Sequence, residues 1–254
     1  MTGTLGLVVP AYRPDVDQLG AYLAEIRAEL DPDAVRIELD DPDEAVVAAL
    51  REFDATVHAV PYRRGKGAAV TAGFEALDTD VRAFADADGS TPAASLAEVV
   101  APIQAGRADL AVGSRRHPAA RVATHQTLAR RHLGDAFAWL ARRLLEVPLH
   151  DYQCGAKAIS APAWESVREH LYEPGFAWDV ELVAIAGALD LRVAEVPIEW
   201  HDRPGSTVSP VRTSLRLGRA LLAARHRAKR LRNSRLHEAI ASQRGEPTAL
   251  VDRK

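Results

Sequence analysis

Two spacings of apolar residue take turns along the 254-residue chain. Short, nearly continuous apolar runs occur at LGLVVP (5–10), AVRIEL (34–39), ATVHAVP (55–61), VRAFAD (81–86), ADLAVGS (108–114) and RVAEVPIEW (192–200). Their length, β-branched content and flanking Gly, Pro and Asp read as strands. Between them, 15–30, 43–52, 67–77, 92–105, 124–146 and 179–189 carry helical patterns. Strands with no polar face, alternating with amphipathic helices, predict an α/β fold with a mostly parallel sheet covered on both sides. Ligands of such sheets bind beyond the carboxyl ends of the strands. That rule singles out Pro10 and Ala11, Asp40 and Asp41, Asp86 and Asp88, and 113–115.

The fourth run ends in FADADGSTP (84–92). A helix N-cap at Ser90 or Thr91 and a first-turn Pro92 explain its second half. Carboxylates at Asp86 and Asp88 go beyond that need, and a pair at i and i+2 can share one hard cation. In YRRGKGAAVTAG (62–73), Gly65 and Gly67 flank Lys66 just before a helix. Such a start favours phosphate, although the spacing is not that of a P-loop. The acids of LDDPDE (39–44) either accept hydrogen bonds from a base or ribose or enrich a helix N-terminus. GSRR (113–116) places Arg115 and Arg116 at another strand end, which suits an anion. HDYQCGAKAIS (150–160) mixes Asp151, Gln153, Cys154, Gly155 and Lys157 without periodicity. Cys154 has no evident His partner and reads as a packed side chain rather than a nucleophile. Asp179 and Glu181 fall in the first turn of a buried-looking helix, where capping and dipole complementarity are the simplest account.

Charge changes this picture at one end. The net charge is −3, yet 203–237 holds ten of the 32 Lys and Arg and none of the 35 Asp and Glu. An acidic body thus carries a basic C-terminal segment. Its Leu215, Leu217, Leu221 and Leu222 at near-helical spacing predict a basic amphipathic helix over 210–237. That helix either lies on an anionic membrane surface or packs on the 1–209 domain with a solvated basic face. Residues 238–254 are expected to form a weakly ordered tail. The acidic body and the scarcity of aromatics exclude nucleic acid as a partner. A single cysteine, Cys154, excludes an internal disulfide and a thiolate cluster and fits a reducing compartment. The N-terminus lacks signal-peptide features, and no run reaches the roughly 18 to 20 apolar residues of a membrane span. A cytoplasmic protein, soluble or peripheral, is expected.

The order PAY, LDD, RRGKGAAVTAG, DADGST, GSR, DYQCGAK, FAWDVELV and EVPIEWHDRPGST, from residue 4 to about 220, resembles the family-2 glycosyltransferases with a GT-A, Rossmann-like fold. Within that family the pattern is most similar to enzymes that make polyprenyl-phosphate sugars, the dolichyl-phosphate glucosyltransferases and mannosyltransferases. The resemblance implies inverting, metal-dependent transfer of a hexose to a polyprenyl phosphate for glycan or glycoprotein assembly. It implies UDP-glucose first and GDP-mannose second as donor, Mg²⁺ or Mn²⁺ as cofactor, and a peripheral position at the inner face of the cell membrane. By the same resemblance Asp86 and Asp88 hold the metal, and Asp151, Gln153 and Asp179 form the catalytic centre. Pro10, Tyr12, Asp40 or Asp41, Lys66, Asp86, Ala87, Arg115, Arg131 and Lys157 line the substrate and nucleotide. Three positions depart from the family pattern. Asp40-Asp41-Pro42-Asp43 replaces Asp-Asp-Gly-Ser, Arg63 replaces an Asn, and Ala156 replaces an aromatic. A phosphate acceptor with a second pKa of about 6 is already nucleophilic at neutral pH, so Asp151 either orients the sugar or acts as base. A soluble acceptor, which would need a base, and a noncatalytic nucleotide-sugar-binding module are the other readings.

Overall fold

A computed structural model of the chain describes residues 3–122, 128–201, 210–234, 237 and 247–253, with the backbone alone over 128–133 and 210–215. The first half follows the hydrophobic pattern: β1 (Leu5–Tyr12), α1 (Val16–Leu30), β2 (Ala34–Asp40), α2 (Glu44–Leu50), β3 (Thr56–Val60), α3 (Lys66–Glu75), β4 (Val81–Ala85), α4 (Ala93–Gln104) and β5 (Leu110–Ser114). The second half diverges from it. A two-residue β6 (Arg121–Val122) precedes α5 (Leu128–Leu144), and the aperiodic 150–160 stretch contains β7 (Ala156–Ser160), followed at once by α6 (Ala161–Val167). After α7 (Trp178–Ala188), the run expected as one strand over 192–200 splits into β8 (Val193–Pro197) and β9 (Glu199–Trp200), and α8 (Pro210–Leu231) follows.

Seven strands form the main sheet in the order β3-β2-β1-β4-β7-β5-β8, and β6 pairs with β9 in a small second sheet. All main-sheet pairings are parallel except those of β7, which runs antiparallel to both β4 and β5. Side chains alternate across the sheet, as period 2 requires. Val8, Phe84, Val112 and Ile159 enter one core with α3, α7 and α8. Leu7, Val9, Ala83, Ala85 and Ala158 enter the other with α1 and α4. Helix α7 is buried along its whole length, which explains why it has no polar face.

The structure bears on both C-terminal segments. Along α8, Leu221, Ala224 and Ala228 are buried in the α7 core, so one apolar face of the helix is turned inward, whereas Leu222 is 58% exposed. Cations near its end are engaged as well: Arg227 pairs with Glu181, Lys229 with Glu146 at 2.5 Å and, just past the helix, Arg232 with Asp190, whereas Arg216 and Arg219 are exposed. The expected weak tail is docked at its far end, where Ala249 and Leu250 are buried and the Leu250 N–H donates to the Leu171 carbonyl at 2.8 Å. Residues 238–246 lie outside the described residues. No helix among the described residues is long and apolar enough to cross a membrane.

Candidate active site

β1, β2, β4 and β5 end on the same side of the sheet. Because β7 runs against them, it begins where they finish, with Ala156 opposite Ala85. The antiparallel insertion thereby delivers 150–155 to the carboxyl ends of the parallel strands. The Asp86 N–H donates to the Gly155 carbonyl at 2.9 Å. A Cβ at 155 would push the Asp86 carboxylate aside, so glycine lets that carboxylate lie against the turn. Asp88 is exposed, and its Oδ1 accepts the Ser90 N–H at 2.9 Å across a turn in which Gly89 has φ 62°.

Lys66 opens α3 and bridges two carboxylates, with Nζ 2.9 Å from Asp86 Oδ1 and 3.0 Å from Asp179 Oδ2. A Cβ at Gly67 would lie 2.5 Å from that of Trp178, so glycine lets the start of α3 seat against the start of α7. From the other side, Lys157 donates to Asp179 Oδ1 at 2.6 Å and to the Cys154 carbonyl at 2.8 Å. Lys157 is 1% exposed. It sits under the site and holds Asp179.

The charges in this cluster do not balance. Burial would raise the Asp179 carboxyl, but Lys157 and Lys66 outweigh it and hold it low. Asp86 is raised, first by burial and then by Asp179 and Asp88, with Lys66 offsetting only part. Lys66 is raised by Asp179 and Asp86 against its burial. One further positive charge near Asp86 and Asp88 would therefore relieve the cluster. Among the described residues no group of three His, Cys, Asp or Glu could hold a metal ion. The pair fits instead a hard divalent ion whose remaining ligands are water and phosphate oxygens.

Arg115 and Asp151 form a second unit. Arg115 Nε and Nη2 donate to the two Asp151 oxygens at 2.6 and 3.1 Å, and the Arg115 and Gln153 N–H groups add bonds of 3.2 and 3.0 Å. Burial would raise Asp151, yet the Arg115 guanidinium and these bonds hold it at about 2. The Arg115 guanidinium also lies over the Trp200 ring, 4.8 Å from its centroid. Glu195 on β8 fixes the turn itself, accepting the N–H groups of His150 and Asp151 at 2.7 and 2.9 Å and His150 Nδ1 at 2.8 Å. The buried Cys154 thiol is pushed up to about 12 by burial, as a packed side chain requires.

At the end of β2 the two candidate acids separate. Asp40 is buried and binds Arg64 Nε at 2.7 Å and the Gly65 N–H at 2.9 Å, so it braces the loop that carries Lys66. Glu38 lies beneath it, fully buried, with Arg36, His58 and Arg64 at 2.5, 2.7 and 2.9 Å. Asp41 stands exposed at φ 48°, 3.8 Å from Arg13. Pro10 and Tyr12 are half-buried at the end of β1, and Arg63 covers the Tyr12 ring at 4.1 Å. Ala87 is half-buried between the two acids, and Gln153 is half-buried beside Asp151. The Arg131 side chain lies outside the described residues. Sequence reasoning missed Glu38, Arg64, His150, Glu195 and Trp200. A charged residue inside the apolar 34–39 run was the one available sign for Glu38.

An α/β sheet with paired acids after β4 and a cation cluster at the same edge is the frame of this site, and the glycosyl transferase family 2 model matches residues 7–150. The chain belongs to that family. It is 35% identical over 160 residues to glycosyltransferase AglD of Haloferax volcanii, covering 63% of this chain and 25% of that protein. It is 28% identical over 176 residues to the dolichyl-phosphate beta-glucosyltransferase of Saccharomyces cerevisiae, covering 64% of this chain and 52% of that one. The chain thus spans a quarter of the first relative and about half of the second. Among solved structures it resembles glucosyl-3-phosphoglycerate synthase of Mycobacterium tuberculosis in complex with Mn²⁺, UDP-glucose and phosphoglyceric acid. The TM-score is 0.67 at 18% identity, over 88% of this chain and 80% of that one.

Proposed function

We propose that this chain transfers a hexose, with inversion, from a nucleotide sugar to a polyprenyl phosphate, with glucose from UDP-glucose as the first choice and mannose from GDP-mannose as the second. The observation that carries this reading is the meeting of two unlike units at one sheet edge, Asp86 and Asp88 with Lys66, and Arg115 with Asp151. The first suits a diphosphate leaving group and the second an anionic acceptor. The names of the yeast relative and of other relatives as dolichyl-phosphate beta-glucosyltransferases support the lipid acceptor.

In the reaction an acceptor phosphate oxygen bonds to the anomeric carbon while the bond from that carbon to the diphosphate breaks. A divalent ion on Asp86 and Asp88 would supply neutralisation of the departing diphosphate. The chain's own residues hold the rest in place. Asp151 fixes the Arg115 fork through Nε and Nη2, which leaves Nη1 for an anion. At about 2, the Asp151 carboxyl is too weak a base to take a proton at neutral pH, so its role is positioning. A largely dianionic phosphate needs no such base. Lys66 links the acids to α3, and Asp179 fixes Lys66.

A soluble phosphorylated acceptor is the second reading. It is favoured by the packing of Leu221, Ala224 and Ala228 of α8 into the core, and by a structural neighbour that holds phosphoglyceric acid. The deciding assay incubates the protein with Mg²⁺ or Mn²⁺, polyprenyl phosphate and each radiolabelled nucleotide sugar in turn. Label in the organic extract, abolished by chelator, is expected. Label that stays in the aqueous phase, or full transfer in excess chelator, would reject the lipid acceptor or the metal role respectively.

A further inference from the structure

A groove of about 470 Å³ runs along α5 beside the Arg115–Asp151 unit, and nothing in the reaction above uses it. Arg116, Arg142, Arg143 and His150 line it, with Asp135 and Trp139. Asp135 is already paired with Arg116. Arg142 and Arg143 are exposed and make no ion pair with a described residue; the Arg143 guanidinium lies 5.4 Å from the Trp139 ring centroid. The groove therefore holds an excess of positive charge on an otherwise acidic body. At its inner end His150 is held from two sides. Its Nδ1 is 2.8 Å from Glu195 Oε2, and its ring meets the His117 ring edge-on at 5.5 Å. With Nδ1 committed to a carboxylate, Nε2 is the nitrogen left to face the groove, in the arrangement that fixes an imidazole for contact with a ligand. Trp139, 61% exposed, gives the same groove an apolar wall.

We propose that this groove is a phosphomonoester subsite, in which His150 Nε2 and the Arg142 and Arg143 guanidiniums bind the acceptor's phosphate end as it approaches Arg115. The proposal rests on the phosphate-acceptor reading above and adds to it two arginines, Arg142 and Arg143, that lie outside the motifs of the sequence. Glu195 is then a positioning residue twice over, because the same carboxylate orients His150 and, through the Asp151 N–H, the partner of Arg115. Two guanidiniums match phosphate oxygens in shape and charge. One phosphate chemistry has two sources here, a prenyl phosphate or a soluble phosphorylated acceptor, and the Trp139 wall favours the first.

The test is calorimetric titration of the full chain with geranyl phosphate below its micelle concentration and, separately, with glycerol phosphate. The Arg142→Ala/Arg143→Ala double variant and His150→Ala are expected to bind about ten- to hundredfold more weakly than the wild type, the loss expected of one charge-assisted contact. Both arginines are exposed, so the double variant should keep the wild-type unfolding midpoint, and it decides the matter if His150→Ala unfolds. Tighter binding of geranyl phosphate supports a prenyl source, and equal binding of both ligands supports recognition of the phosphate alone. Unchanged affinity in the double variant would overturn the groove while leaving the acceptor reading intact. Failure of the wild type to bind either phosphomonoester would overturn both.

Discussion

Asp86 and Asp151 reach the same sheet edge from opposite strand directions, and each faces a cation, yet their environments differ in charge balance. Asp151 has a guanidinium to itself and accepts two backbone N–H groups besides, so it is held at about 2. Around Asp86, two ammoniums, Lys66 and Lys157, serve three carboxylates, Asp86, Asp88 and Asp179. The Asp151 carboxylate is fully engaged without a ligand. The Asp86 cluster lacks a positive charge, and the deficit falls on the two acids nearest solvent. Acids of one residue type are thus sorted into those that hold the site and those that can meet something from outside.

Removing one member of the Arg115–Asp151 unit should have the largest effect. Asp151→Ala leaves the Arg115 guanidinium, 22% exposed, without its partner. Loss of a buried pair's partner costs about 3–5 kcal/mol, and urea unfolding should register a drop of that order. A change below about 1 kcal/mol would mean that Arg115 finds another anion and that the pair is not the keystone described above.

Asp88→Asn tests the charge-deficient cluster. It keeps Oδ1 for the Ser90 N–H and removes only charge. Transfer should fall about 10²- to 10³-fold, as when one group stabilising a transition-state charge is lost. Unfolding should stay within about 0.5 kcal/mol of the wild type. Wild-type turnover would show that the deficit at Asp86 and Asp88 is met in some other way.

Acid separates the two units next. Asp151 is lowered from an unfolded value of about 4 to about 2. Its contribution is therefore fully present above pH about 4 and lost as pH falls toward about 2, and it amounts to about 2 kcal/mol. Unfolding free energies measured from pH 5 to 2 should show this loss in the wild type. Asp151→Asn, starting from lower stability, should show a shallower decline. Equal slopes would place the acid sensitivity elsewhere.

Much of the frame was legible because apolar period and strand-end acids are local signals: β1 through β5, their helices, and the position of Asp86 and Asp88 follow from them directly. What the sequence concealed depends on the antiparallel course of β7. AKAIS carries Lys157 inward toward Asp179 from the middle of a sheet, so a buried charge breaks the apolar pattern that marks a strand. The pairing of Asp151 with Arg115, 36 positions away, and the support from Glu195, 44 positions away, have no local trace. Likewise α8 has the composition of a membrane-surface helix, but α7, buried on every side, claims its Leu221 face. Composition alone could not choose between these two partners.

The smallest effect should come from the acid that the same logic leaves at the rim of β2. Asp40 and Asp41 are adjacent and chemically alike, but Asp40 is spent on Arg64 and Gly65, whereas Asp41 faces solvent. Its positive φ is one that Asn adopts readily, and its ion pair with Arg13 is long and exposed. Asp41→Asn should therefore leave unfolding within about 0.5 kcal/mol of the wild type. If Asp41 is the acid that reads the base or ribose, the variant should bind UDP several-fold more weakly by calorimetry, since an amide is a poorer acceptor than a carboxylate. Unchanged UDP affinity would remove Asp41 from the nucleotide site. Asp40 would then act there only through the loop it braces.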